Sequence, residues 1–400
     1  MKALIISVGT GSAGTTENTI NLARAIAFSI KHYSPDRVYF VLTKESLEKT
    51  LPEVLKGTGV IDHELINLDD PDNVAKIYEY LQPYFDKIRK SSDYLIVDYT
   101  SGTKAMSAAL AILGALYEAN ELGYIAGKRK GGIVQAGTEH IISVRPYFVK
   151  ARQREKMALG FFDHAQYDIC VRIFKEILEM TKDPDIVSRV EPYMKLAEAY
   201  SLWDKFQHQQ AFEIIKSLKF PALDRNKCFL GRLISRMNHE PEPYFVADLI
   251  NNATRRGDEE QKYDDAVARL YRTTELLAQY RVRKICGVEP SEADPSKIPA
   301  ELIEKWREDT SKPLKLGLHK CYELLFYKGD VLGKEYKNDE RLRDLLSKRN
   351  RSILAHGFEP VDKETYIELR DKVLKMATIT IADLESLLKD SRFVKSYELS

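Results

Sequence analysis

Apolar residues follow two rhythms along this chain, and the change between them divides it. Over the first 150 positions they come in short, nearly continuous runs: Lys2–Val8 (KALIISV), Arg37–Thr43 (RVYFVLT), Tyr94–Asp98 (YLIVD) and a weaker His63–Leu68. Amphipathic stretches at about Thr16–Lys31, Asp72–Ser91 and Ala105–Asn120 separate them. Buried strands alternating with helices predict a mostly parallel sheet covered on both faces, an α/β arrangement. Tyr124–Lys128 and Ile141–Val144, either side of Gly131-Gly132, predict an antiparallel hairpin that closes the sheet.

Beyond position 150 the spacing becomes helical. Ile169, Ile173, Phe174 and Ile177, then Met194, Ala197 and Tyr200, recur at three- and four-residue steps, with Asp183-Pro184 and Phe220-Pro221 as breaks. FFDHAQYDICVRIFKEIL and MKLAEAYSLWDKFQHQQAFEIIKSL resemble tetratricopeptide-like hairpins, although two units without a clear period do not make a solenoid. His164 and His208 fall on polar positions of these helices and read as surface residues. From about Tyr244 the pattern is an all-α bundle. Val267, Leu270, Tyr271, Thr274 and Leu277 stripe a helix near Tyr263–Arg281; a helix Pro313–Lys328, a helical run from Asn338 and a long final helix Lys363–Leu388 follow. The expected domains are 1–150, 151–243 and 244–400.

Composition narrows the partners. With 44% hydrophobic and 30% charged residues, 400 positions supply more than one core, and a formal charge of +1 gives no global field toward nucleic acid or a membrane. Any RNA contact must be local. Cys170, Cys228, Cys286 and Cys321 are scattered without a CxxC or metal-ligand spacing, as expected of reduced cysteines in a cytoplasmic protein. Without an apolar run of membrane-spanning length or a signal-like start, the chain reads as soluble, with no membrane partner.

Three stretches carry candidate chemistry. In a sheet of this kind ligands sit beyond the carboxyl ends of the strands, where loops meet helix N-termini. Gly9-Thr10-Gly11-Ser12-Ala13-Gly14 follows the first strand, and Thr100-Ser101-Gly102-Thr103-Lys104 follows the fourth. Both offer hydroxyls and backbone N–H groups, and Lys104 adds a cation suited to phosphate. GTGSAG matches the dinucleotide fingerprint formally, but the second strand ends at Leu42-Thr43 without the ribose-binding acid, and neither loop has the P-loop spacing.

The third stretch is Lys348-Arg349-Asn350-Arg351-Ser352-Ile353-Leu354-Ala355-His356-Gly357. Read as the last turns of a helix capped by a left-handed Gly357, it places Arg349 and His356, seven positions apart, on one face, with no carboxylate between them. An arginine and a histidine together suit phosphodiester chemistry: one neutralises phosphate charge and the other moves a proton near neutral pH. A basic last turn beside a capping histidine is the competing reading of the same residues.

ISVGTG, DYTSGTKAMSAAL and YIAGKR…GIVQAGTE together resemble the CARF domain, the Rossmann-like sensor of cyclic oligoadenylates in CRISPR systems. The resemblance covers about residues 1–150 and implies a ligand pocket across a dimer two-fold, lined by Thr10, Gly11, Thr100, Ser101, Gly102, Thr103 and Lys104. The all-α bundle carrying Arg349-Asn350 and His356, ending in AHG, resembles a HEPN ribonuclease domain. The rival register from Arg351 lacks the Asn as second residue. CARF, then helices, then HEPN is the order in the ancillary ribonucleases of type III CRISPR systems, and YDDAVARLYR with RNRSILAHG looks most like their Cas-zero-two-seven-one-zero branch.

That resemblance implies an obligate homodimer with a composite, metal-independent site cutting single-stranded RNA to 2′,3′-cyclic phosphates. Arg349, Asn350 and His356 would be its catalytic set, with no cofactor and with a cyclic oligoadenylate, the tetra-adenylate in the first place, as activator. Two alternatives stay open on sequence: a CARF loop that cleaves its own ring, and a ligand-sensing regulator with no catalysis.

Overall fold

The computed structural model describes residues 1–10, 16–59, 62–130, 133–135, 137–307, 309, 311–355 and 357–399. The chain divides into two compact units, Met1–Arg154 with Met180–Ile186, and Glu155–Glu179 with Val187–Ser400.

In the first unit the strands are β1 (Lys2–Val8), β2 (Arg37–Leu42), β3 (His63–Asn67), β4 (Tyr94–Asp98), β5 (Glu121–Ala126), β6 (Arg129–Lys130), β7 (Ile133–Val134) and β8 (His140–Val144). Six of them form one sheet in the order β3-β2-β1-β4-β5-β8. The first five are parallel, with Ile5 opposite Tyr39 and Val97, and β8 runs antiparallel to β5 with Gly123 opposite Ser143. Alternate residues of each strand feed opposite layers, as the two-residue period of a strand requires. Ala3, Ile5, Tyr39, Val41, Leu95 and Val97 pack under the helices Val74–Ser91 and Lys104–Leu116 through Phe85, Ile88, Leu110 and Leu113. Leu4, Ile6, Val8, Val38, Phe40 and Leu42 meet Ile26 and Ile30 of the helix Thr16–Tyr33 and Val54 of the helix Leu51–Thr58. The α/β expectation holds. The last hairpin differs in detail, because β5 begins at Glu121, where it pairs first with β4, and the short β6–β7 ladder lies between it and β8.

The second unit is helical. Its spine is the helix Tyr263–Cys286, with Val267, Leu270 and Leu277 fully buried. Asp264 and Asp265 sit in its first turn and Arg283 and Lys284 in its last, matching the helix dipole, and Gly287 closes it at φ 63° in the left-handed region. Helices Glu242–Thr254, Leu318–Tyr327 and Lys363–Thr380 pack around it.

Three expectations here are corrected. The run expected from Asn338 begins at Glu340, because the Asp339 carboxylate caps it by accepting from Leu342 N at 2.8 Å, and Asn338 instead ends a separate helix, Val331–Asn338. The long final helix breaks into Lys363–Thr380 and Leu384–Ser391. The break follows a β-branched run, with the Thr378 and Thr380 hydroxyls donating to carbonyls four residues back and Ile381 extended at φ −125°. His208 is not a surface residue. It is 3% exposed, with Nε2 2.7 Å from the Asp248 carboxylate, which also accepts from Trp203 Nε1 at 3.0 Å. The three-residue periodicity could not reveal that its partner lies forty positions on. His164 is exposed, as expected.

Candidate functional site

The sheet order puts β1 and β4 side by side at the point where the chain reverses its direction of progress, so the two hydroxyl-rich loops leave the same edge together. Ser101 Oγ accepts from Gly9 N at 2.7 Å, and the Ser7 hydroxyl donates to the Ser101 carbonyl. The loops touch as closely as backbone allows: a Cβ at Gly9 would lie 2.8 Å from Gly102 N. Gly102 itself has φ 90°, a conformation that a side chain would strain.

Under this junction lies Asp98, fully buried at the end of β4. One carboxylate oxygen accepts from the hydroxyl and, at 2.8 Å, the backbone N–H of Thr100; the other accepts from the Ser29 hydroxyl. Burial pushes this carboxyl above the ordinary range, and the donated hydrogen bonds partly offset it. Thr100 Oγ also accepts from Ile125 N at 2.8 Å, tying the loop to β5. Thr103 caps the helix Lys104–Leu116 by accepting from Met106 N at 3.2 Å, and its hydroxyl donates to the Pro71 carbonyl.

Of the expected ligand residues, then, Thr100, Ser101 and Thr103 spend their hydroxyls on shaping the loop. Lys104 is exposed and has no acceptor or carboxylate among the described residues, at the positive end of a helix. Thr10 is half-exposed beside them, and its carbonyl accepts from Thr19 Oγ1 at 3.3 Å. Gly11 lies outside the described residues. A cavity of about 650 Å³ lies at the opposite end of β4 and β5, lined by Tyr94, Asn120, Arg145 and Lys150 among others, and belongs to neither loop.

In the helical unit the Arg349 stretch departs from its expected geometry. The helix ends at Arg351, not at Gly357. Ser352 turns to φ −77°, ψ 165°, and its N–H donates to Arg349 O at 3.0 Å. The chain then folds back tightly. Ala355 N and Gly357 N both donate to Ser352 O, and Glu359 N donates to Arg351 O at 3.1 Å, a parallel bridge between Ser352 and Glu359. Gly357 does not take the left-handed conformation expected of it. It is needed for space, since a Cβ there would collide with the Arg351 carbonyl oxygen. The shared helical face for Arg349 and His356 is therefore overturned: a turn intervenes between them, and His356 lies outside the described residues.

Arg349 and Arg351 have different surroundings. Arg351 pairs with Glu359 at 3.4 Å, largely in solvent. Arg349 has no ion pair among the described residues; its guanidinium lies 4.5 Å from the ring centroid of Tyr271, and its buried Nε has no hydrogen-bond acceptor. Its Nη1 donates to the Asn350 amide oxygen at 3.4 Å. Ile353, Leu354 and Phe358 are exposed around the turn, Phe358 at 90%. Among the described residues no three His, Cys, Asp or Glu side chains gather as metal ligands, and no helix is long and apolar enough to cross a membrane. All four cysteines are free.

An open, mostly parallel sheet with two hydroxyl-rich loops at its switch point, followed by a helical bundle whose Arg349 has no ion pair among the described residues and precedes a tight turn, fits the CARF–HEPN class of protein. The family model for the Csm6 6H domain matches residues 151–240, where tetratricopeptide-like hairpins were expected, and that for the Csm6 HEPN domain matches residues 234–380. The CRISPR system endoribonuclease Csm6 of Thermus thermophilus is 25% identical over 90% of this chain and 83% of that protein. The structure of Enterococcus italicus Csm6 bound to cyclic hexa-2′-fluoro-hexa-dAMP has the same fold, with a TM-score of 0.65, 12% identity and 98% of each chain covered. Residues 151–380 thus match two Csm6 family models in succession, and the chain resembles the CRISPR-associated Csm6 endoribonucleases along most of its length.

Proposed function

We propose that this protein is a cyclic-oligoadenylate-activated, metal-independent endoribonuclease that cuts single-stranded RNA as a homodimer in antiviral defence. Residues 1–150 would sense the ring, 151–243 brace the dimer and 244–400 cut. The observation that carries the reading is the state of Arg349: a guanidinium without a carboxylate partner, seven residues before His356, in the stretch matched by the Csm6 HEPN model. The T. thermophilus relative, an endoribonuclease by name, and the E. italicus relative, seen with a cyclic oligonucleotide, lend support from outside the chain.

The RNA 2′-oxygen attacks the adjacent phosphorus, forming the O2′–P bond. The P–O5′ bond then breaks, leaving a 2′,3′-cyclic phosphate and a 5′-hydroxyl. The proton lost by the 2′-hydroxyl and the one gained by the departing 5′-oxygen both pass through His356, with no net change, and Arg349 stabilises the charge on the phosphorane. Asn350 holds the phosphate or the helix end. One chain supplies one such set, and two meeting across a two-fold complete the site. In the sensor, Lys104 and the N-terminal amides of its helix take ring phosphates, while Thr10, Gly11 and the Thr100–Thr103 loop shape the pocket. A ring of four or six adenylates matches a two-fold; this chain's preference is assigned to the tetra-adenylate.

The test is cleavage of a fluorescent single-stranded RNA in EDTA, with cyclic tetra-adenylate, cyclic hexa-adenylate or neither. Cleavage with one ring, ending in 5′-hydroxyls and absent from His356→Ala, is the expected result. Cleavage by His356→Ala would overturn the site. No cleavage with either ring, with the rings themselves consumed, would move the activity to the sensor domain.

A further inference from the structure

We infer that Tyr271 is a positioning residue of the candidate ribonuclease site: its ring face carries the Arg349 guanidinium in place of a carboxylate, aiming the cation while leaving its charge for the phosphate. The inference rests on the ribonuclease reading and adds to it a residue from a different helix.

The neighbouring arginines show the alternative. Arg341 is clamped by Glu368 through contacts of 2.6–3.0 Å, and Arg351 is paired with Glu359. An arginine held in that way arrives at a phosphate already neutralised. Arg349 lies on the same helix, yet it is held by a π face 4.5 Å away. The ring attracts the cation through its quadrupole without taking up a single N–H donor. The buried Nε–H, left without an acceptor, is the mark of this arrangement. Such a group is costly to leave bare in a site with no ligand to fill it.

Tyr271 is well placed to hold a fixed angle. It projects from the helix Tyr263–Cys286, which packs directly against Glu340–Arg351. Burial raises its phenol above the ordinary value, and Arg349 works in the opposite direction, so the two groups sense each other electrostatically. Tyr336 stacks on Tyr322 at 4.0 Å with the rings 7° from parallel. The Tyr322 hydroxyl returns to the Thr274 carbonyl, one turn along the spine from Tyr271, at 2.9 Å. The Tyr271 ring thus holds a cation that, among the described residues, makes one hydrogen bond, to the adjacent Asn350, and no ion pair.

The experiment compares Tyr271→Phe, Tyr271→Leu and Tyr271→Gln in the full-length protein with saturating cyclic oligoadenylate, each also combined with Arg349→Ala. Phe keeps the ring face and should cut RNA at close to the wild-type rate. Leu and Gln should lower kcat roughly tenfold with KM nearly unchanged. In the Arg349→Ala background the same changes should have no further effect. Two non-aromatic variants are used so that either one, with a wild-type melting curve, is sufficient. Equal activity in Phe and a folded Leu or Gln variant would overturn the inference, as would an effect that persists without Arg349. If wild type cuts RNA and Arg349→Ala does so equally well, the assignment of Arg349 to the catalytic set has failed instead, and the melting curves still report on the fold.

Discussion

Asp98 is a carboxyl with no ion pair among the described residues, surrounded by hydroxyls and one amide at the base of the two hydroxyl-rich loops. Because burial raises its folded pKa above the unfolded value near 3.9, the protonated form is the one the fold favours. Its contribution to stability is therefore complete below the unfolded pKa and is lost as pH rises through the folded pKa. Asp98→Asn carries no charge at any pH and keeps an acceptor for Thr100. Its melting temperature should gain on wild type as pH is raised from about 4 to 8, in paired thermal scans. A gap that moves the other way would mean that the donors, not burial, set this group. The sequence showed an acid ending YLIVD, but not that it would be sealed, since burial depends on strands that pair from elsewhere in the chain. Residues whose surroundings are set by immediate neighbours, such as the exposed His164, were legible. Those whose partners are distant, such as Tyr271 and His208, read as core or surface.

Elements show the same division. The parallel strands and their helices could be placed from apolar runs and glycine-rich breaks, because each is buried on both faces and its pattern has no competitor. The end of the helix carrying Arg349 could not. Glycine plus a following proline reads as a helix stop at Gly357, whereas the chain stops at Arg351 and spends Ser352–Glu359 in a turn closed by its own backbone. The glycine signal was real, but it marks close approach rather than a cap. Gly357→Ala tests this. The added methyl would collide with the Arg351 carbonyl, and relief must shift the turn that follows Arg349. A displacement of about an ångström in a positioned catalytic pair costs about a hundredfold. RNA cleavage should fall by that order, with ring binding and melting temperature close to wild type. A fully active Gly357→Ala protein would show that the turn is free to move and does not set the site.

At the scale of the whole molecule the question is how a ring on an α/β sheet bears on an arginine in a helical bundle of the same chain. Linkage requires that the ring bind the competent arrangement more tightly than the resting one, and that the excess affinity equal the shift in activity. Lys104 is the natural reporter: it is exposed, unpaired among the described residues, and remote in the chain from the catalytic stretch. A charge-assisted contact to phosphate is worth about 1.5 kcal/mol, a little over tenfold. A ring lying across a two-fold meets two copies of Lys104, so Lys104→Ala should raise the half-activating ring concentration by roughly a hundredfold. At saturation the turnover rate should be restored, because the role proposed for the residue is in ring binding and not in bond breaking. His356→Ala should give the mirror image, with wild-type ring affinity and no cleavage. A titration of RNA cleavage against ring concentration, beside direct ring binding, separates these outcomes. If Lys104→Ala instead lowered the plateau and left the midpoint unchanged, the lysine would belong to the transmission of the signal, and the pocket would have to be sought among the remaining loop amides.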